Sequence, residues 1–325
     1  MHVTYAHTNR VHPREGGQIH KQKLSSQYDY APPPVPYGLV AFTVVTGLAH
    51  FAQGVAILAL RRNVSVPTYI MINLWPRHGD EVQVFAPLRY ATGGISVELS
   101  IAAFFFLSAA FQIGAVLDVR RFANDVLMRG VQPLRFVEYA VSASLMTLVI
   151  SVLFGIQSAD FLVILFVAMA SVMLLGIIQE RQLAKLRIAV EFYKQSSISS
   201  FDYFAPHAVG WLLFLGIVSI FSLRFVLTVN QSSLVNGSKP PAWVYTIIVL
   251  EMIVFGSFGI NQLAQQARFY RLTVTQYGTA QYAKRFMSAA LTAEYVYVAL
   301  SLTAKSFLCW VLYINMLAVD SIQYS

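Results

Sequence analysis

The chain has 325 residues, 57% of them hydrophobic and only 12% charged, with a mean hydropathy of +0.59. A soluble domain of that length carries about twice the charge, so the composition excludes one and indicates a polytopic membrane protein. The single cysteine, Cys309, excludes an internal disulfide and a cysteine-based zinc site. The net charge of +8 fits membrane topology better than nucleic-acid binding.

Residues 1–36 are polar, rich in His, Gln, Ser and basic side chains, and close with "APPPVP". No apolar core follows a short basic start, so no cleavable signal peptide is expected. The composition predicts a disordered tail. Seven apolar segments long enough to cross a bilayer follow, at 37–60, 88–117, 132–156, 159–178, 205–229, 241–264 and 290–318. They make one bundle domain over 37–319, with no internal repeat, and leave 320–325 as a short terminus.

The link between the first two spans, about 63–87, is the one long loop. "TYIMINL" and "EVQVFA" are β-rich runs separated by the turn chemistry of "WPRHGD", which predicts a two-stranded hairpin. A lone hairpin is marginally stable, so this one should rest on the bundle or on a second subunit.

Lys and Arg residues set the orientation. Sixteen of them fall in the tail and in the 2–3, 4–5 and 6–7 links, among them Arg120, Arg181, Lys185, Arg268 and Lys284. The opposite side holds only Arg61, Arg62, Arg77, Arg89 and Lys239, with Arg224 near its edge. The N-terminus is therefore expected in the cytoplasm and the C-terminus outside. Three N-x-S sequons, at Asn63, Asn230 and Asn236, lie in links assigned to the outside.

Ionisable residues inside spans are costly and mark function. The conspicuous ones here are His50, Glu98, Glu138, Glu251 and Lys305. Lys305, in "LSLTAKSFLCW", reads either as a partner of a buried glutamate or as an amine that condenses with an aldehyde. An imine so formed, once protonated, needs an anion nearby. Glu138 is the natural one. "RFVEYAVSASLM" places Arg135, Glu138 and Ser142 on one helical face, with small residues beside them. Arg135 is expected to bond Glu138, whether to hold it ionised or as an interfacial pair at a helix end. For Glu138 to reach the depth of Lys305, the third helix must begin near Pro133, and proline suits a first helical turn. His50 reads as a packing residue or a proton carrier. Glu98 and Glu251, in the outer halves of their helices, read as snorkelling, as paired, or as lining a proton path.

"SLTAKSFLCW", "QPLRFVEYAVSASLM" and "HFAQG", together with the inverted orientation, resemble the heliorhodopsins, the inverted-topology branch of microbial rhodopsins, which has viral and eukaryote-associated members. The resemblance spans all seven helices. It implies an all-α, rhodopsin-like seven-helix bundle in the plasma membrane, homodimeric through the outer loop and bundle helices, with no enzymatic activity and no metal. It implies all-trans-retinal held on Lys305 as a protonated Schiff base, Glu138 as counterion, and Ser301 bonded near the linkage. Arg135, Tyr139 and His50 would belong to an inner polar network, Glu180 would tie the inner loops, and Trp310 would lie beside the pocket. Met146, Trp211, Phe214, Phe255 and Phe258 would surround the ring and polyene. In one departure, the family's usual second histidine, a turn after a serine in helix two, is absent: here Ser108 is followed by Gln112. Glutamine holds no proton at neutral pH, which leaves His50 and Glu138 as that cavity's titratable groups.

The function so implied is a light sensor without net transport. The alternative is a light-gated proton channel or transporter, an activity associated with some viral members and motivated here by Glu98, Glu251 and Gln112. A receptor or transporter without chromophore is the reading from another class.

Overall fold

The computed structural model describes residues 34–60, 62–74, 77–78, 81–82, 86–193, 198–236 and 240–317. Most of the tail, Arg61, Lys194, Lys239, residues 75–76 and 79–80 of the expected turn, and the C-terminus lie outside the described residues. Seven long helices dominate: α1 Tyr37–Ala59, α2 Val97–Val116, α3 Pro133–Leu153, α4 Ala159–Tyr193, α5 Ser200–Asn236, α6 Ala242–Gln276 and α7 Ala280–Leu312. Each contains a stretch long and apolar enough to cross a membrane, and α3 is the most enclosed of them. Its small polar side chains allow that. Ser144, Thr147 and Ser151 each donate to the carbonyl four residues back, and Ser144 also reaches the carbonyl of Phe166 on α4 at 3.0 Å.

Two expected boundaries are corrected. The second span begins at Val97 rather than 88, because Ser96 caps α2 by accepting from the Leu99 N–H at 3.3 Å. The segment ahead of it, "LRYATGGIS", belongs to a strand; having Arg89 as its one charge, it merges with the helix in any hydropathy window. This strand, β4 (Ala86–Ser96), pairs antiparallel with β1 (Ser65–Leu74) along its whole length. Of the expected second strand "EVQVFA", residues 83–85 lie outside the described residues and Ala86 opens β4. Glu81–Val82 (β3) instead pairs with Arg77–His78 (β2) in a small ladder at the tip. The register shifts at Thr68/Tyr69, opposite Gly93, whose φ of 120° suits glycine.

The hairpin does rest on the bundle. The Tyr69 N–H donates to the Gln157 carbonyl in the α3–α4 link at 3.0 Å, and the Arg89 guanidinium lies over the Tyr69 ring. Glu98, in the first turn of α2, anchors its base by accepting the N–H groups of Val64 at 2.8 Å and Arg62 at 3.2 Å.

At the opposite end, α4, α6 and α7 run well past the apolar limits read from the sequence. Their extensions are amphipathic, so hydropathy alone stops short of them. Leu39, Val126, Leu183, Phe269 and Phe286 form a second core there. Into it fits a short helix, Val119–Ala123, that widens into a π-helical turn, Asn124–Arg129. Gly130 ends this turn at φ 69°, where a Cβ would stand 2.6 Å from the Phe286 ring. Arg187 closes the cap: it donates to the Met128 carbonyl at 2.8 Å and lies over the Phe286 ring.

Replacing Glu98 by Ala removes the acceptor of two backbone N–H groups at the hairpin base. The expected cost is about 1–3 kcal/mol, read as a lower Tm and faster protease cleavage of the hairpin. Wild-type values for both would show that the carboxylate is not the anchor.

Candidate functional site

Glu294, Tyr297, Ser301 and Lys305 are spaced by three, four and four residues, so α7 presents them as one stripe. Facing it, α3 contributes Arg135, Glu138, Tyr139 and Ser142, and α2 contributes Ser108 and Gln112. Pro133 is the first residue of α3, which sets Glu138 level with the lysine.

The first cluster surrounds that meeting. Lys305 Nζ lies 3.1 Å from Glu138 Oε1 and donates to Ser301 Oγ at 2.9 Å, with both charged side chains about 3% exposed. The same carboxylate oxygen accepts from Ser108 at 2.6 Å and from Ser142 at 2.9 Å. Ser108 also lies 2.9 Å from the Phe104 carbonyl, but one hydroxyl has one proton, and the shorter, charge-assisted bond takes it. Gln112 donates to Ser301 at 3.4 Å. The Tyr139 ring centre is 5.1 Å from Nζ.

A second cluster lies toward the end opposite the hairpin, and here a sequence expectation is corrected. Arg135 bonds Glu180 at 2.5 Å and also Glu294; it does not bond Glu138. Side chains on a helix lean toward its N-terminus, so Arg135 reaches back toward the start of α3 while Glu138, one turn on, is left for Lys305. Glu180 additionally accepts the Gln132 N–H at 2.7 Å. The guanidinium lies 3.8 Å above the Tyr297 ring. Tyr139 stands between the clusters and donates to the Tyr297 carbonyl at 3.3 Å. Glu294 and Tyr297 escaped the sequence reading although the signal was present: both fall on the helical stripe that ends at Lys305.

The remaining candidates scatter. His50 is buried, and neither ring nitrogen has a hydrogen-bond partner among the described residues; it is not bonded to Arg135 or Tyr139, so the expected single inner network is divided. Glu98 belongs to the hairpin. Glu251 on α6 neither snorkels nor pairs: it is buried, its oxygens have no hydrogen-bond partner among the described residues, and it lines a small cavity with Phe154, Phe221 and Met252. Trp310 turns to α1, donating to Gln53 Oε1 at 2.9 Å.

A cleft between α3, α4, α5 and α6 completes the site, with about 570 Å³ of empty space including its open mouth. Trp211, Phe214, Phe255 and Phe258 line it, whereas Met146 is packed into the core with Phe214. His207 and Gln262 also line it, and the sequence reading did not single them out. Tyr139 is a wall of the cleft and the neighbour of Lys305, so the amine stands beside that wall. An amine paired with a carboxylate, beside a long aromatic cleft, fits an apolar aldehyde such as retinal.

The family model described as Heliorhodopsin matches residues 39–317. The chain belongs to the heliorhodopsin family: it is an integral membrane protein of the retinal-binding, rhodopsin-type photoreceptor class. No curated protein matches the chain at a significant level.

Arg135→Gln leaves two buried carboxylates facing each other without a cation. The expected loss is about 3–5 kcal/mol, measured as a fall in Tm. Adding Glu180→Gln should restore part of it by removing one of the charges. A single variant as stable as wild type would deny the cluster its structural role.

Proposed function

We propose that this heliorhodopsin is a light-activated photoreceptor in which Lys305 holds all-trans-retinal as a protonated Schiff base and Glu138 is the counterion. The observation that carries the reading is the buried contact of 3.1 Å between Lys305 and Glu138 beside the aromatic cleft. Retinal, when bound, supplies visible absorption and a double bond that light isomerises. The chain's own residues do the rest. Glu138 keeps a negative charge opposite the lysine nitrogen, and Ser108 and Ser142 each donate a hydrogen bond that favours that charge. Ser301 accepts from the lysine nitrogen and from Gln112, fixing the nitrogen's direction. The rings of Tyr139 and Phe258, 5.2 Å apart, exclude water from the lysine side of the cleft. Glu138, in direct contact with the lysine nitrogen, is the group placed to take a proton from it, and buried His50 on α1 is the other titratable group of that cavity. The proton therefore has its acceptors within the bundle, as a sensor without net transport requires.

One observation favours the second reading, a light-gated proton channel or transporter. Glu251 lies on the hairpin side of the bundle with no hydrogen-bond partner for its carboxyl among the described residues, and a proton leaving Lys305 toward that side would meet it. Glu98 is committed to the hairpin base and does not extend this path.

The positive-inside distribution supports a plasma-membrane orientation with the N-terminus cytoplasmic and the hairpin outside. Exposed Met71, Leu88 and Tyr90 on the hairpin support self-association into a dimer there.

Three measurements test these readings. Lys305→Ala should abolish the visible absorbance that wild type gains with all-trans-retinal, and a wild type that stays colourless ends the retinal reading. Glu138→Gln should shift the absorption to the red, because positive charge is no longer held at the lysine end; an unchanged spectrum would assign the counterion elsewhere. Under voltage clamp, the sensor gives no light-evoked current at well-expressed levels. A current whose reversal potential follows the proton gradient, and which Glu251→Gln removes, establishes transport.

A further inference from the structure

The lining of the cleft on α5 and α6 contains polar groups that the photochemistry above does not use. Trp211 and His207 are four residues apart on α5, and the Trp211 indole N–H donates to His207 Nε2 at 2.8 Å. An indole nitrogen can only donate. His207 Nε2 must therefore be bare, and the imidazole proton must sit on Nδ1. Nδ1 lies 3.3 Å from Gln262 Oε1 on α6, a group that can only accept. The orientation of that amide is set at its other end, where Gln262 Nε2 donates to the Gly176 carbonyl on α4 at 3.3 Å. One directional chain, Trp211 to His207 to Gln262 to Gly176, thus joins three helices, and all four residues line the cleft.

A second, independent constraint seats the same indole. Gly259 on α6 lies against it so closely that a Cβ there would stand 2.9 Å from Cζ2 and 3.2 Å from Cε2 of Trp211. The ring is held flat on α6 by a glycine and at its edge by a histidine. Phe214 then packs edge-on against it, 5.6 Å away, and continues the wall.

A buried histidine with both nitrogens bonded is commonly no more than a satisfied core residue. Two features point further here. The bonds run in one direction only, so a single tautomer is allowed, and the residue at the head of the chain faces the ligand space. We propose that His207 and Gln262 are positioning residues for the chromophore: they fix the indole of Trp211, which in turn sets the shape of the cleft where the ring end of retinal lies. This rests on the retinal reading given above. Without the His207 acceptor, the indole N–H of this half-buried ring loses its partner. It then rotates to find another acceptor, and the wall moves with it.

The test uses the full chain with all-trans-retinal. His207→Phe should shift the absorption maximum and speed bleaching by hydroxylamine several-fold, while His207→Gln, which can accept from the indole and donate to Gln262, should stay near wild type. In a Trp211→Phe background the His207→Phe change should disappear, because the residue acts through the indole. Gln262→Leu, which leaves both α5 side chains intact, should give a smaller change in the same direction and carries the test where His207→Phe fails to fold. Nitrogen-15 shifts of His207 in the wild type should show the proton on Nδ1. Three results overturn the proposal: a His207→Phe variant with wild-type colour and bleaching, effects that add in the Trp211→Phe background, or a proton on Nε2. A wild type that takes up no colour ends the retinal reading and the positioning role with it, whatever the tautomer; a coloured wild type with any of the three results ends the positioning role alone.

Discussion

An ammonium and a carboxylate, each costing several kcal/mol to bury alone, meet between α3 and α7, and the rest of the bundle is arranged around that necessity. Neither charge can leave the other without a replacement, so the two helices are locked in depth and rotation. Hydroxyls from both α2 and α3 converge on a single oxygen of the buried carboxylate and satisfy it there. The lysine needs an acceptor on its own helix, and Ser301 stands one turn before it. Small residues on α3 follow from the same demand, since only they let three helices approach the pair.

The second cluster uses the opposite balance. One guanidinium serves two carboxylates at the end away from the hairpin. Tyr139 and Tyr297 separate this cluster from the lysine pair. The separation keeps Arg135 from competing for Glu138. A guanidinium bonded to the counterion would draw its charge away from the lysine nitrogen, so assigning Arg135 to Glu180 and Glu294 leaves Glu138 to a single cation.

Much of this was legible in the residues. The seven spans, the lysine and its carboxylate, and most of the aromatic cleft followed from hydropathy, helical period and family resemblance. What was not legible had physical causes. The strand Ala86–Ser96 hid inside an apolar segment, because hydropathy alone does not distinguish a strand from the apolar helix that follows it. The long ends of α4, α6 and α7 were amphipathic and fell below any threshold for burial in lipid. Arg135 and Glu138 share a helical face, but side-chain lean separates them by a turn. Glu294 lay in plain view on the lysine stripe. Gln262 is uncharged and gave no signal, and His207, at the edge of the fifth span, was passed over because its bonds link helices distant in sequence.

α7 is 33 residues long, and Lys305 divides it unequally. About 37 Å of helix separates Lys305 from the end near Ala280, against roughly 10 Å to Leu312 at the other. The helix is therefore an unequal lever with its load at the short arm. A tilt pivoting at the lysine would be magnified more than threefold where α7 packs against α6 and the short helix beyond the lipid. The clamp of Glu294 on Arg135 grips the long arm less than halfway along. Through that clamp the long arm of α7 is tied to α3 and α4.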